Sequence, residues 1–398
     1  MKRILLLALT AFSLASCSTN NDTHTHTYSS KLSFDSTYHW HNASCDHKNE
    51  VKDKAEHDFN ELNECKVCGY VKGVPEEITK ITDNMYSITL RDDYFETYLN
   101  NGGGSSDMDI LRFAVENISN DPIFQKMIPQ KQPGACSSFV FKNTDGEFCH
   151  ARNLDFDPSY NSLMIHNVPK TGYESISFSS YFCLNLKGDF SPAEHAEAFK
   201  VFEFLPMDGI NSAGLALNMN DIYNSNSHVQ QNTNKADLTT TVLNRLLLNK
   251  AGSVEEAISL IQSYDIHDSD TRSNGYHIMI SDRTGDACVI EFYNSELQII
   301  RKQKDQDIFA MTNTELNSHF PEEDYKNDKR YKAIMSKFNE YGGALDKEKG
   351  IEVLKSAKLS STLHSIIYNL ERQTVYFCRY QNWDKMNFYG LKQKQINY

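Results

Sequence analysis

A cysteine, an arginine and an aspartate lie close together in one short stretch of the sequence, and their side chains suit nucleophilic chemistry. The stretch begins at Cys136, passes through the turn Asp145-Gly146 and reaches Arg152 and Asp155. An apolar strand after the cysteine, reversed by an Asp-Gly turn, predicts a hairpin that returns Arg152 and Asp155 to Cys136. A thiol reacts as its thiolate, and a neighbouring cation lowers its pKa. A buried cysteine with two surface charges is the alternative interpretation.

This stretch resembles the N-terminal-nucleophile (Ntn) amide hydrolases of the choloylglycine hydrolase, penicillin V acylase and acid ceramidase group. In that group the nucleophilic cysteine becomes the first residue of the mature catalytic chain. An arginine follows sixteen residues later and an aspartate nineteen residues later, intervals that Cys136, Arg152 and Asp155 keep. The segment ARNLDF is similar to the family's GRNMDF. Further similar segments are the turn at 208–215, the hairpin at 282–291, the Thr-Asn pair at 312–313 and the arginine site at 328–331.

The resemblance implies an α+β fold, a four-layer αββα sandwich, that hydrolyses a linear amide bond after self-cleavage before Cys136. A free α-amine has a pKa near neutrality and can take the thiol proton, so that the thiolate attacks the substrate and forms a thioester. Water then releases the acid. The implied substrate is a small-molecule acyl amide, and the implied catalysis needs no cofactor. An acyltransferase on the same scaffold and a non-catalytic surface-binding lipoprotein are the alternatives.

The resemblance also implies a role for each site residue. Asp155 would hold the α-amine, while Arg152 and Arg330 would set the charge around the thiol. Asn313 would donate a hydrogen bond to the oxyanion, and Asn220 is a weaker candidate for a second donor. Lys329 is an alternative to Arg330, because the alignment of that motif can shift by one residue.

The N-terminus predicts export. A short basic start precedes an apolar run from Ile4 to Leu14, and Leu14-Ala15-Ser16-Cys17 is typical of a bacterial lipoprotein signal. Lipidation of Cys17 would anchor the chain to a bacterial cell membrane, at the cell surface or in the periplasm. An ordinary cleaved signal peptide is the alternative. The net charge of −13 argues against a nucleic-acid partner.

A small Cys/His module follows the signal. Cys65-Lys66-Val67-Cys68 precedes a glycine, which is typical of half a zinc site, and the module has too few apolar residues for a core of its own. It is similar to short repeats on some bacterial surface proteins. We predict a zinc-ribbon-like site with Cys45, Cys65, Cys68 and a histidine, His57, as ligands. His41 and His47 are alternatives to that histidine, and a disulfide from Cys45 or a module without metal are alternatives to zinc.

These features divide the chain into a signal peptide (1–17), a flexible tether (18–30), the Cys/His module (31–78), a pro-segment or N-terminal part of the hydrolase (79–135) and the Ntn hydrolase domain (136–398). Hydrophobic spacing predicts a strand over 81–90 and a helix over 108–118 that begins at Ser106 or Asp107. Helices are also expected at 238–248 and at 254–264, the latter capped by Ser253. Four cysteines in strand-like segments are predicted to be single buried thiols, with a disulfide as the alternative: Cys149, Cys183, Cys288 and Cys378.

Overall fold

The computed structural model describes residues 25–47, 49–128, 134–188, 190–268 and 275–391. Cys17, the signal peptide and the first part of the tether lie outside these ranges. Within them, no helix combines the length and the apolar character needed to cross a membrane. The eight cysteines in the described ranges form no disulfide with one another. Cys149, Cys288 and Cys378 lie in strands, whereas Cys183 lies in a short 3-10 helix, Tyr181–Leu184.

Strands supply most of the regular structure. In chain order they are β1 (Ser33–Phe34), β2 (Tyr38–Asn42), β3 (Val51–Glu56), β4 (Thr79–Thr82), β5 (Met85–Leu90), β6 (Ala135–Lys142), β7 (Phe148–Asp155), β8 (Ser162–Asn167), β9 (Ser175–Ser180), β10 (Asp208–Asn211), β11 (Ala216–Ile222), β12 (Asp237–Thr239), β13 (Asp265–His267), β14 (Gly275–Ser281), β15 (Ala287–Tyr293), β16 (Glu296–Arg301), β17 (Ile308–Met311), β18 (Thr362–Asn369), β19 (Thr374–Arg379) and β20 (Asn387–Gly390).

The helices are α1 (Tyr94–Asn100), α2 (Asp107–Asn117), α3 (Ala196–Phe199), α4 (Thr240–Lys250), α5 (Val254–Ile261), α6 (Glu322–Asn327), α7 (Lys329–Glu340) and α8 (Lys347–Ser356). The predicted helix starts at Ser106 and Ser253 are confirmed. The backbone N–H of Ser106 donates to the Asp109 carboxylate at 3.0 Å, and the Ser253 hydroxyl accepts from the N–H of Glu256. The helix expected over 238–248 begins later, because Leu238 belongs to the short strand β12.

Two large sheets form the body of the protein. One has nine strands in the order β16-β15-β14-β11-β10-β9-β8-β5-β4, and the other has six in the order β17-β6-β7-β18-β19-β20. Neighbouring strands run antiparallel in both sheets, except that β5 runs parallel to β8. The strand that begins with Ala135 and Cys136 therefore lies inside the six-stranded sheet, between β17 and β7.

The two sheets and the helices stack in four layers. Helices α2, α4 and α5 share a core with one face of the nine-stranded sheet. Its other face packs on the six-stranded sheet, where the rings of Phe178 and Phe377 lie 4.9 Å apart. On the outer face of the six-stranded sheet, Ile334 of α7 and Leu354 of α8 share a core with Phe141. The predicted α+β fold with αββα layers is confirmed.

The chain before Cys136 is built into this fold. Strands β4 and β5 lie at the edge of the nine-stranded sheet, and α2 contributes to the outer helical layer. The single strand predicted over 81–90 is a hairpin instead, because Asn84 adopts a left-handed conformation with φ of 59° and reverses the chain.

The Cys/His module has a three-stranded sheet, β1-β2-β3, and a small core of its own around Phe34, Cys65 and Tyr70. It contacts the hydrolase through Lys347, whose Nζ lies 2.9 Å from Glu64 Oε2. Residues expected in the tether join the module, since Tyr28 bridges to Ala43.

Candidate functional site

The predicted hairpin is formed by β6 and β7. Ala135 lies opposite Asp155 in its ladder, and Arg152 comes beside Cys136 on the face between the two sheets. Asp155 is three residues beyond Arg152, so strand alternation turns it to the opposite face, toward α7. The turn between the strands includes Gly146 with φ of 86°, which glycine adopts without strain.

The Cys136 thiol and the Arg152 guanidinium are in direct contact. Arg152 Nη2 donates to Cys136 Sγ at 3.3 Å, and both side chains are buried. The guanidinium is held by two backbone carbonyls, Met219 O at 3.0 Å from Nη2 and Met207 O at 2.9 Å from Nη1. A buried cation is thus fixed against the sulfur, where it can stabilise a thiolate.

Asp208 is the counter-ion of Arg152, and sequence reasoning had not given it a role. Its carboxylate pairs with Arg152 Nη1 and accepts hydrogen bonds from Tyr368 and from His364 Nε2. Burial alone would raise the pKa of Asp208, but Arg152 and the two donors outweigh it and hold that pKa below its usual value. The sequence marks Asp208 only as the first residue of a family-like turn.

Only one oxygen of the Asp155 carboxylate accepts a hydrogen bond from the described residues. Its Oδ1 accepts from the Thr362 hydroxyl at 2.5 Å, while Oδ2 lies 3.6 Å from Arg330 Nη1. In the described residues no group donates a hydrogen bond to Oδ2. Burial raises the pKa of Asp155 to about 6, although Thr362, Arg330 and Arg152 act against this rise.

Arg330 and Asn313 meet the backbone of Cys136. Arg330 donates from Nη1 to the Cys136 carbonyl and from Nη2 to Asn313 Oδ1, each at 2.8 Å. The same Oδ1 accepts from the Cys136 N–H at 2.8 Å. On the other side of the Asn313 amide, Nδ2 donates to the Asp221 carbonyl at 2.6 Å. Lys329 is exposed, so Arg330 is the basic residue of this motif that reaches the site.

The Asn220 side chain contacts residues next to the site. Its Nδ2 donates to Thr312 O at 2.8 Å and contacts Ser138 Oγ at 3.5 Å. His277, which sequence reasoning missed, binds the same carbonyl through Nε2 at 2.8 Å and Glu291 through Nδ1. Asn220 and His277 thus fix the residue that precedes Asn313.

The thiol is protonated in this form of the chain. Burial raises the pKa of Cys136 to about 11, even though the charge of Arg152 lowers it, and Asp155 and Asp221 raise it further. The sulfur therefore needs a base, or more positive charge, before it can react at neutral pH.

Two histidines and two cysteines form a cluster in the module. One ligand atom from each of His39, His57, Cys65 and Cys68 lies within 4.8 Å of the others. Cys68 Sγ lies 3.4 Å from His57 Nδ1, and Cys65 Sγ lies 3.9 Å from His39 Nδ1. Ligand atoms around a tetrahedral zinc ion are about 3.3–3.8 Å apart, given Zn–S and Zn–N bonds of about 2.3 and 2.0 Å.

The structure does not bring Cys45 to this cluster. Its Sγ lies 3.5 Å from His26 Nδ1 and 3.9 Å from His47 Nδ1, in a separate group near the start of the module. Of the ligands predicted from the sequence, His57, Cys65 and Cys68 thus lie together, and His39 on β2 lies beside them instead of Cys45. The pairing of β1 with β2 sets His39 opposite Phe34, beside the Cys65 core, and spacing along the chain did not reveal this.

The four layers and the buried thiol site together define an Ntn-hydrolase-like protein. The sequence profile of the linear amide C–N hydrolases, choloylglycine hydrolase family, matches residues 136–341, about half of the chain. The chain belongs to this family, and the match begins at Cys136. It is a hydrolase that acts on linear amide carbon–nitrogen bonds.

Several solved structures are similar to this chain. A penicillin V acylase from Agrobacterium tumefaciens shares 17% identity at a TM-score of 0.45, over 61% of this chain and 83% of its own. A conjugated bile acid hydrolase from Clostridium perfringens shares 15% identity at a TM-score of 0.45, over 66% and 97%. An N-acylethanolamine-hydrolyzing acid amidase ortholog from Caenorhabditis elegans shares 15% at 0.40, over 59% and 93%. No curated protein matches the sequence, and these distant similarities carry no argument about substrate.

Proposed function

We propose that Cys136 is the nucleophile of this amide hydrolase and that it becomes an N-terminal residue when the chain cleaves its own Ala135–Cys136 bond. The observation that carries the proposal is the contact of the thiol with a buried cation, together with a buried carboxylate on the other face of the same hairpin. Arg152 Nη2 is 3.3 Å from the sulfur, and Asp155 lies across the ladder from Ala135. This pairing of charges suits both a thiolate and a new α-ammonium group.

Self-cleavage is required because the uncut nitrogen is not a base. The Cys136 N–H is an amide that donates to Asn313 Oδ1. In the proposed step, Sγ attacks the Ala135 carbonyl carbon, and the thiol proton passes to the Cys136 nitrogen as the C–N bond breaks. Water then hydrolyses the resulting thioester, which leaves a carboxylate on Ala135 and an amine on Cys136. The new ammonium would supply the hydrogen bonds that Asp155 Oδ2 lacks in the described residues of the uncut chain.

Turnover would use the same groups in a second round. The α-amine takes the thiol proton, Arg152 stabilises the thiolate, and the sulfur attacks the amide carbonyl of the substrate. The amine leaves with a proton from the α-ammonium, and water releases the acid. Asn313 would donate to the oxyanion through the second N–H of its amide, while Arg330 and the Asp221 carbonyl hold that amide in place. Asn220 serves this proposal as a positioning residue for Thr312 and Asn313 rather than as a donor.

The test compares two cysteine variants of the full chain. Cys136→Ala should stay uncut by intact-mass analysis and should hydrolyse no member of a panel of acyl amides. Cys149→Ala is the matched control, because Cys149 is a buried thiol on the neighbouring strand β7. It should be cut and active. Cleavage or hydrolysis by Cys136→Ala would refute the proposal.

We further propose one structural zinc ion in the module, held by His39, His57, Cys65 and Cys68. The donor set of two sulfurs and two imidazoles is one that zinc prefers, and its four ligand atoms already lie within 4.8 Å of one another. His57 is also oriented from behind, since its Nε2 lies 2.9 Å from the Asp35 carbonyl oxygen, as is usual for metal-bound histidines. The ion would stabilise a module whose own apolar core is small.

Metal analysis of the purified full chain tests the zinc site. The wild type should contain close to one zinc per chain, and Cys68→Ser should lose it. Cys45→Ser is the matched control and should keep the zinc, since Cys45 lies outside the cluster. Wild-type protein without zinc, or zinc lost equally from both variants, would contradict this assignment.

A further inference from the structure

Gly134, two residues before Cys136, is held by two side chains at the end of β11. Its N–H donates to Asp221 Oδ2 at 2.5 Å, and its carbonyl oxygen accepts from the Tyr223 hydroxyl. The Asp221 side chain is buried, at 9% exposure, whereas Tyr223 is 53% exposed and lies at the protein surface beside Gly134. A Cβ added to Gly134 would lie 3.2 Å from Asp221 Oδ2 and 3.4 Å from Asp155 O. The site thus holds this segment closely, through its backbone amide groups.

Asp221 and Tyr223 are tied to the thiol site. The Asn313 side chain joins the two regions, because Oδ1 accepts from the Cys136 N–H while Nδ2 donates to the Asp221 carbonyl. Burial raises the pKa of Tyr223, and Asp221 and Cys136 raise it further. The Tyr223 hydroxyl therefore remains a hydrogen-bond donor at neutral pH.

Self-cleavage and turnover pass through thioesters of the same sulfur. In the first thioester, the acyl group on Cys136 Sγ is the chain that ends in Gly134-Ala135. In the second, it is the acid half of the substrate. Water must attack both carbonyl groups beside the same oxyanion donors, so both carbonyls occupy the same place. The part of the substrate that corresponds to Gly134 then lies against Asp221 and Tyr223.

We propose that this hydrolase selects amides whose acid half is peptide-like, with a glycine-like residue where Gly134 stands and an amide group on each side of it. The inference rests on the proposed function, because it requires Cys136 to form both thioesters. The N–H of the amide on the amino side of this residue would donate to Asp221, and the carbonyl of the amide on its carboxyl side would accept from Tyr223. A saturated acyl chain offers neither group, so the hydrogen bonds that Asp221 and Tyr223 make to Gly134 would have no counterpart in such a substrate. The close space around Gly134 favours a residue without a side chain at that position.

The test uses two fluorogenic amides with the same leaving amine. One has acetylglycylalanine as its acid half, and the other has a saturated acyl chain of the same length. Processed wild-type enzyme should show a kcat/KM at least about tenfold higher for the peptide amide, because only that acid half can make hydrogen bonds to both Asp221 and Tyr223. Tyr223→Phe and Asp221→Asn should each lower this ratio severalfold. Tyr341→Phe, at the far end of α7 from Arg330, is the matched control and should leave it unchanged.

The ratio of the two kcat/KM values is measured on one enzyme preparation, so it does not depend on the fraction of chains that have been processed. A processed enzyme that prefers the saturated acyl amide, hydrolyses neither amide, or keeps its ratio in Tyr223→Phe and Asp221→Asn would overturn this inference and leave the processing step standing. A chain that stays uncut and inactive would overturn the proposed function, and this inference with it.

Discussion

The reactivity of Cys136 depends on the buried charges of Arg152 and Asp208. Asp208 balances Arg152, and Tyr368 and His364 satisfy the remaining hydrogen-bonding capacity of Asp208. Removing one member of a buried ion pair leaves an uncompensated charge and costs about 3–5 kcal/mol of stability. Asp208 therefore makes the burial of Arg152 compatible with a stable fold, and it also holds the guanidinium in position at the sulfur.

Asp155 gives the uncut chain a characteristic pH dependence. Its pKa is about 6 in the folded chain and 3.8 as the ordinary value, so folding favours its protonated form. The stability from this group is fully present below about pH 4 and is lost as the pH rises through about 6, up to about 3 kcal/mol. Uncut Cys136→Ala should therefore lose stability to urea between pH 4.5 and about pH 7.5.

The double variant Cys136→Ala, Asp155→Asn is the control for this prediction. Other titrating groups are common to both proteins, so the difference between their pH profiles isolates Asp155. The double variant should lose less stability over the same range. Identical profiles would mean that Asp155 is already ionised at little cost in the uncut chain.

At the scale of elements, the start of α7 positions Arg330. The Asp328 carboxylate caps this helix, accepting from the N–H groups of Arg330 and Tyr331 at 2.8 and 3.0 Å. The cap fixes the first turn, and that turn aims the guanidinium at the Cys136 carbonyl. Helix α8 has an equivalent cap in Asp346, which accepts from Lys349 N at 2.7 Å.

The two caps allow a matched experiment. Asp328→Ala and Asp346→Ala should each cost about 1 kcal/mol in the free energy of unfolding, the usual effect of losing a helix cap. Only Asp328→Ala should also slow amide hydrolysis, because only α7 holds a residue of the site. Equal activity in the two variants would show that Arg330 does not depend on its cap.

The sequence predicts individual helices and strands better than it predicts the contacts between them. The hairpin at Cys136 and the starts of α2 and α5 follow from local signals, namely an Asp-Gly turn and serine caps. The roles of Asp208 and His277 depend on which faces two sheets present to each other, and local spacing does not contain that information. The place of His39 in the metal cluster depends in the same way on the pairing of β1 and β2, which the CxxC spacing cannot indicate.

For the whole molecule, cleavage before Cys136 would divide a continuous fold. Strand β5, from the segment before the cut, is hydrogen-bonded along β8 from the segment after it. Helix α2 likewise shares the core of the nine-stranded sheet. We therefore expect the two pieces to stay together after processing, because separation would expose one edge of the sheet and a large apolar surface.

The location of the whole molecule depends on Cys17, which lies outside the described residues. We predict that Cys17 carries a lipid and that the wild type sediments with bacterial membranes until detergent is added. Cys17→Ala should appear in the soluble fraction, since the anchor would come from the lipid. Cys45→Ser is the control and should stay with the membranes. Wild-type protein that is soluble without detergent would contradict the prediction.

N-terminal sequencing of the active enzyme tests the central claim most directly. Samples taken during maturation are sequenced, and their amide hydrolase activity is measured in parallel. We predict that activity rises in proportion to the fraction of chains that begin at Cys136, because the α-amine can act as a base only after the Ala135–Cys136 bond is broken. A chain that is fully active while still joined across that bond would contradict the account.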